Sequence, residues 1–128
     1  VYNRAMTLGE FEDLVRQALD GLPDQFAGAL DNVEVVVEIW PSAVDLRSAG
    51  VGPGVSLFGL YRGIPQTKRG TYYGALPDKI SIFAGPIVQA VGDNPEVVKK
   101  QVRKTVLHEI GHHFGMSEEQ IRRASRRK

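Results

Sequence analysis

All three histidines of this chain lie in one short segment, HEIGHH, at residues 108–113. Side chains four positions apart in an α-helix share one face, with Cβ atoms roughly 5–6 Å apart. His108 and His112 have this spacing, so their imidazole nitrogens can bind one zinc ion at ~2.0–2.1 Å. The pattern therefore predicts a zinc site on a helix.

Glu109 follows the first histidine and is rotated away from the pair, so we do not expect it to bind the metal directly. Its carboxylate lies beside the metal instead, where it can accept a proton from the attacking water. Zinc lowers the pKa of that water towards ~7. The H-E-x-x-H pattern thus predicts Glu109 as the general base of peptide-bond hydrolysis, able to pass the proton to the leaving amine.

A catalytic zinc ion takes three protein ligands and keeps one open position. The only carboxylates downstream of the pair are Glu118 and Glu119. Gly115 can end the helix in a left-handed conformation and turn the chain back towards the metal. Residues 108–118 then match H-E-x-x-H-x-x-G-x-x-E, which predicts Glu118 as third ligand and Glu119 as the substitute. Without a metal, both acids suit the first turn of a helix capped by Ser117.

His113 points about 100° away from its neighbour on a helix, so we expect it to pack within the helix surroundings and not to bind the metal. A further polar side chain is expected to help zinc stabilise the oxyanion. The candidates come from a long loop predicted over residues 63–79 and its edge: Arg62, Arg69, Tyr72 and Tyr73.

A long helix must carry the histidines. Asn94 is a suitable N-cap and Pro95 suits the first helical position. Apolar residues spaced by four form a stripe that should pack on a sheet: Val98, Val102, Val106 and Ile110, extended by Phe114. Gly115 is the expected stop, and Ser117 with Gln120 forms a capping box that opens a short C-terminal helix.

The rest of the chain predicts a mixture of helices and strands. Thr7 and Glu10 form a capping box for a first helix that ends near Gly21. Short helices are predicted over 23–30 and 86–91, and strands over 33–40, 55–62 and 80–84, by periodicity and breakers. Residues 41–54 hold three glycines and two prolines, which predicts mostly loop.

The composition is that of an ordinary globular protein. A length of 128 residues predicts one domain spanning 1–128. The absence of cysteine excludes disulfides and thiolate zinc ligands, and it favours a reducing, cytoplasmic location. No apolar run approaches the ~20 residues of a membrane span, so no membrane association is expected.

The chain is basic towards its end. From Lys99 onward there are nine Lys and Arg residues against three acids. A basic end can bind nucleic acid or an acidic partner. No nucleic-acid-binding motif or interleaved aromatic residue accompanies these charges, so a solvated helix face and a basic tail are favoured, and nucleic acid is not an expected partner.

Three segments resemble the mini-zincin family of small zincin-like metallopeptidases: HEIGHHFGMSEEQI at 108–121, LFGLYRGIPQT at 57–67 and LPDKISIFAGPI at 76–87. The resemblance implies a minimal α+β domain, with a small mixed sheet of about three strands backed by an N-terminal helix and a long active-site helix. It also implies zinc, with His108 and His112 as ligands and Glu109 as base. The family motif commonly has Asp where this chain has Glu118.

These observations favour a zinc peptidase that acts on a peptide or protein substrate. The alternative is a zincin-fold protein that binds zinc without turnover and serves as an interaction module. Zincins bind substrate along a sheet edge, which either 55–61 or 80–84 would supply. An exposed sheet edge could also pair two copies into a homodimer.

Overall fold

The structure of the protein is a computed structural model that describes residues 6–51, 57–63 and 78–126. Within these ranges the helices are α1 (Leu8–Asp20), α2 (Asp24–Ala27), α3 (Ala43–Ala49), α4 (Ala84–Val91), α5 (Pro95–His113) and α6 (Glu118–Arg126). The strands are β1 (Val33–Glu38), β2 (Gly59–Arg62) and β3 (Asp78–Phe83), and a 3-10 turn covers Gly28–Leu30.

The three strands form one mixed sheet in the order β1-β3-β2. β1 runs parallel to β3, with Val35 opposite Ile80, and β2 runs antiparallel to β3, with Tyr61 opposite the same residue. The central position of β3 is consistent with its apolar side chains, since Ile80 and Ile82 are fully buried. The predicted α+β fold with a small mixed sheet is confirmed.

The core lies between one face of the sheet and the helices α1 and α5. Four of the five residues of the predicted α5 stripe are buried: Val98, Val102, Val106 and Ile110. α1 contributes Phe11, Leu14, Val15 and Ala18 to the same core. Burying a side chain of this size stabilises the fold by about 1.5–3 kcal/mol, so α5 is held firmly by its apolar face.

The predicted helix caps are present. Glu10 N–H donates to Thr7 Oγ1 at 3.1 Å, and Thr7 N–H donates to Glu10 Oε1 at 2.8 Å. At the start of α5, Asn94 Oδ1 accepts from the N–H groups of Glu96 and Val97 at 3.0 and 3.3 Å. These bonds satisfy backbone donors that a helix leaves unpaired, which explains why both helices begin where the sequence indicates.

The expectation of loop over 41–54 was wrong, because α3 lies within it. Ser42 Oγ accepts from Asp45 N–H at 3.0 Å, and Asp45 Oδ2 accepts from Ser42 N–H at 2.9 Å. This is a capping box of the same kind as that of α1, with Asp in place of Glu. The glycines and prolines that favoured a loop flank the helix and do not interrupt it.

Several predicted ends also differ from the structure: β2 begins at Gly59, after two described residues that were predicted as strand, and α4 begins at Ala84. β1 stops at Glu38, which leaves Ile39 exposed, and β3 begins two residues before the predicted strand, at Asp78. Phe114 does not extend the apolar stripe and is 60% exposed, because α5 ends before it and the chain turns. Residues 64–77, with the oxyanion candidates Arg69, Tyr72 and Tyr73, lie outside the described residues.

Among the described helices, none combines the length and the apolar character that crossing a membrane requires.

Candidate metal and catalytic site

The last turns of α5 carry the two histidines side by side. The ring centroids of His108 and His112 are 4.3 Å apart, and the rings are nearly perpendicular. Their side chains are 45% and 47% exposed, so the face opposite the buried stripe presents both imidazoles to solvent. This is the arrangement expected of a helical pair four residues apart.

A sharp turn after α5 brings the chain back towards this pair. Gly115 has a φ of 78°, in the left-handed region. Its N–H donates to the His112 carbonyl at 3.1 Å, and the Met116 N–H donates to the Gly111 carbonyl at 2.8 Å. These two bonds form a Schellman motif, which requires a left-handed residue and favours glycine there. α6 therefore starts at Glu118, close to the histidines.

A close contact between α5 and α6 holds this turn in place. A Cβ atom on Gly111 would lie 2.6 Å from Ile121 Cγ1, which real side chains do not tolerate. Ile121 is 5% exposed and belongs to the core. The glycine inside the HEIGHH segment thus allows α6 to approach α5 closely enough to present its first turn to the histidines.

Glu118 completes a cluster of three possible metal ligands. Its Oε2 lies 2.7 Å from His112 Nε2, and its Oε1 lies 3.7 Å from His108 Nδ1. The ligand atoms of the three residues all lie within 4.8 Å of one another. The hydrogen bond with His112 is the main reason that the pKa of Glu118 lies below its ordinary value.

These residues fit a zinc ion. Two imidazoles and one carboxylate form a ligand set used by catalytic zinc sites, with bonds of ~2.0–2.2 Å and therefore ligand separations of about 3.3–3.5 Å. The observed separations of 2.7 and 3.7 Å bracket this range, so small side-chain rotations suffice. An ionised carboxylate can only accept hydrogen bonds. In the hydrogen bond between His112 and an ionised Glu118, the proton is therefore on His112 Nε2, in the position where the metal would be.

Glu119, the predicted substitute, points elsewhere. Its Oε1 accepts from Arg122 Nη2 at 2.7 Å, and its Oε2 lies 3.8 Å from Arg123 Nε. Both partners follow it on α6. The structure therefore brings Glu118, and not Glu119, to His108 and His112.

Glu109 lies beside the ligand cluster without joining it. Its Oε1 accepts a hydrogen bond of 3.0 Å from the backbone N–H of Tyr61 on β2. Burial raises the pKa of Glu109, while the hydrogen bond from Tyr61 and the two neighbouring histidines act in the opposite direction. A raised pKa suits a carboxylate that must accept a proton and release it near neutral pH.

His113 supports the strand that holds this carboxylate. Its ring stacks on that of Tyr61, with centroids 3.9 Å apart and planes 17° from parallel. The Tyr61 hydroxyl donates to Asp78 Oδ2 at 2.7 Å. Asp78 Oδ2 also lies 4.0 Å from His113 Nε2. His113 thus packs against β2 and lies outside the ligand cluster, as its angular position predicts.

Tyr61 was not found by sequence reasoning. It acts through its backbone N–H on a residue 48 positions away, which no local spacing could indicate. The one signal in the sequence was that side chains alternate between the two faces along β2. This alternation places Tyr61, like its partner Ile80, on the face of the sheet that meets the helices.

The hypothesis that Arg62 stabilises an oxyanion is wrong. Alternation along β2 turns its side chain to the opposite face of the sheet from Tyr61. There its Nη2 lies 2.7 Å from Asp45 Oδ1 and donates to Ser81 Oγ at 3.3 Å. Arg62 therefore lies across the sheet from the candidate site.

Comparison with known proteins identifies the family and a similar fold. A model of the zincin-like metallopeptidase family matches residues 30–127. The fold resembles that of a conserved hypothetical protein from Thermo thermophilus, with a TM-score of 0.55 and 24% identity over 84% of this chain and 94% of that chain. No curated protein matches the sequence significantly. The extent of the family match shows that the chain belongs to the zincin-like metallopeptidases.

Proposed function

We propose that the protein is a zinc-dependent peptidase in which His108, His112 and Glu118 hold the metal and Glu109 is the general base. One observation carries the proposal. Three ligand atoms converge within 4.8 Å, while the adjacent carboxylate is held apart from them by a backbone N–H of β2. The acids of the site therefore have separate positions, one among the ligands and one free to exchange a proton.

Zinc, when bound, would polarise the substrate carbonyl and lower the pKa of the attacking water. The protein supplies the proton acceptor. Glu109 Oε takes the proton of the attacking water, keeps it while the tetrahedral carbon forms, and delivers it to the leaving nitrogen. The hydrogen bond from the Tyr61 N–H holds Glu109 Oε1, so the carboxylate keeps its orientation while Oε2 exchanges the proton.

The structure also favours one sheet edge for the substrate. β3 is the middle strand, so residues 80–84 cannot offer an edge, whereas β2 is an outer strand next to α5. A cleft of about 260 Å³ lies between them and is lined by Phe58, Gly59, Thr105, His108 and Glu109, among others. An extended peptide added along β2 would therefore bring a scissile bond to the base.

Cleavage of a diverse peptide library, read by mass spectrometry, tests the proposal. The zinc-loaded protein should cut peptides, and Glu109→Gln should lower the rate about 10²–10⁴-fold because the base is lost. Zinc affinity should change less than threefold, since Glu109 is not a ligand. The matched control Glu119→Gln should keep the activity of the parent protein.

Two results would contradict the proposal. Full activity of Glu109→Gln would remove the assigned base. Tight zinc binding with no cleavage of any peptide would favour the alternative function, a zinc-binding interaction module of the same fold.

A further inference from the structure

A second concave surface adjoins the metal site. It is a groove of about 690 Å³ between α5 and α6, and its lining includes both His108 and Glu118. Five cationic side chains line it as well: Lys99, Lys100, Arg103, Lys104 and Arg122. We call this surface the basic groove. Among the described residues, the only other acid in its lining is Glu96.

Two of these cations are already neutralised. Lys99 Nζ lies 3.3 Å from Glu96 Oε2, and Arg122 Nη2 lies 2.7 Å from Glu119 Oε1. Such exposed pairs add little to stability, but they cancel the charge that a ligand would meet.

The other three cations have no such partner among the described residues. Lys100, Arg103 and Lys104 form no ion pair with any carboxylate of the described residues. Arg103 packs its guanidinium against Gly21 at the end of α1, where an added Cβ would lie 3.1 Å from Nη2. The exposed lysines thus present uncompensated positive charge beside the candidate metal site.

The spacing of these lysines matches an extended peptide. Lys100, Lys104 and His108 follow one another at intervals of four residues along α5, which corresponds to about 6 Å per step. Alternate side chains of an extended strand lie on one side and about 6.6 Å apart. Acidic residues at alternate positions of a peptide would therefore meet the two lysines in turn.

We infer that the basic groove selects peptide substrates with acidic side chains on one side of the cleaved bond. The inference rests on the proposed peptidase function. All the uncompensated cations precede His108 on α5, so the preference is confined to the part of the peptide that lies on that side. Lys100 and Lys104 are the specificity-determining residues.

The lining favours a peptide over a nucleic acid. Its apolar residues are Leu107 and Ile121, and the described part of the chain adds no phenylalanine, tyrosine or tryptophan to it. Single-stranded nucleic acids rely on aromatic side chains for base stacking in addition to cations. Carboxylates need only the cations, so charge complementarity without stacking points to acidic side chains.

Fluorescence anisotropy with zinc-loaded Glu109→Gln protein measures binding without turnover. Two amidated peptides of ten residues are compared, one with glutamates at alternate positions and one with glutamines there. The acidic peptide should bind at least tenfold more tightly at low salt, and the ratio should fall at high salt because the contacts are exposed. Lys100→Gln with Lys104→Gln should reduce the ratio to below threefold.

A control variant removes the same charge elsewhere. Arg47→Gln with Lys79→Gln, both outside the basic groove, should keep the selectivity. Equal affinity for the two peptides, or selectivity retained after the Lys100 and Lys104 changes, would overturn the inference. Tighter binding of a single-stranded DNA of equal charge, with displacement of the acidic peptide, would also overturn it.

A cleavage experiment separates this inference from the proposed function. The active protein should cut library peptides with acidic residues enriched on one side of the cleaved bond. Cleavage without that enrichment would overturn the basic-groove inference alone. Selective binding of the acidic peptide without any cleavage would instead contradict the peptidase proposal.

Discussion

Charged side chains cluster on both faces of the sheet, and the two clusters differ in access to solvent. On the α5 side, the candidate ligands have side chains that are 45–55% exposed. On the other side, an outer cluster joins Glu38, Asp45, Arg62 and Ser81, where Asp45 is 4% and Ser81 0% exposed. The ligand cluster is therefore open to solvent, and the outer cluster is partly closed.

The partners within the clusters differ as well. In the outer cluster, Asp45 lies 2.7 Å from the Arg62 guanidinium, and the Ser81 hydroxyl donates to Glu38 Oε2 at 2.7 Å. The carboxylates there already have a permanent cation. Within the described part of the chain, the groups that contact Glu118 are imidazoles, which are also metal ligands, so this carboxylate can share a metal ion with them. An internally paired cluster stabilises the fold, whereas a convergent and exposed one is suited to bind a ligand.

The largest effect is expected from removing a histidine of the open cluster. His112→Ala should weaken zinc binding by about 100-fold or more, because losing a direct ligand costs more than losing an outer-shell partner, which costs about 10–100-fold. Stability of the metal-free protein should change by less than about 0.5 kcal/mol, as for exposed residues generally. Calorimetric titration of zinc and denaturant unfolding measure the two quantities. Unchanged zinc affinity would contradict the assignment of the open cluster as a metal site.

Glu118→Ala should produce a smaller loss, at least tenfold in zinc affinity. The variant keeps both imidazoles, which still bind zinc but with fewer ligands. Glu119→Ala is the matched control one residue away, and calorimetry should give it the affinity of the parent protein within twofold. An equal loss in both variants would point to the dipole of α6 and away from direct coordination by Glu118.

The outer cluster should respond in stability and not in zinc binding. Asp45→Asn should lower the free energy of unfolding by about 1–2 kcal/mol at pH 7, because it removes the charge partner of Arg62. Asp31→Asn, at an exposed position, is the control and should change it by less than about 0.5 kcal/mol. A tenfold loss of zinc affinity in Asp45→Asn would contradict the separation of the two clusters.

The stability that Asp45 contributes should depend on pH. Burial would raise the pKa of Asp45, but hydrogen bonds from Ser42 and the Arg62 guanidinium hold it below its ordinary value. A lowered pKa in the folded state adds stability above the unfolded value of about 3.9 and loses it as the pH falls through the folded value. Unfolding measured from pH 7 to 3 should therefore show the difference between parent and Asp45→Asn shrinking below about pH 4.

Local patterns in the sequence accounted for α5 and the paired histidines. The cap at Asn94, the apolar stripe and the interval between His108 and His112 all depend on residues within one helix. Interactions over three or four positions follow from helix geometry whatever the rest of the fold does. The same local signal is present at Ser42 and Asp45, where the capping box forms a helix although the glycines and prolines around it favour a loop.

Contacts between distant segments needed the folded chain. The bond from Tyr61 to Glu109 and the direction of Arg62 both depend on strand register, which places neighbouring residues on opposite faces of the sheet. The close packing of Ile121 on Gly111 decides that α6 presents Glu118 to the histidines.

The sequence by itself determined which residues are candidate zinc ligands and which helix carries them, because residue chemistry and helical periodicity are local properties. Only the tertiary structure decided which carboxylate joins the histidines, which backbone group orients Glu109, and which lysines lie in a groove beside them. Those outcomes depend on how α5, α6 and β2 pack, and packing joins residues whose separation in sequence carries no geometric information.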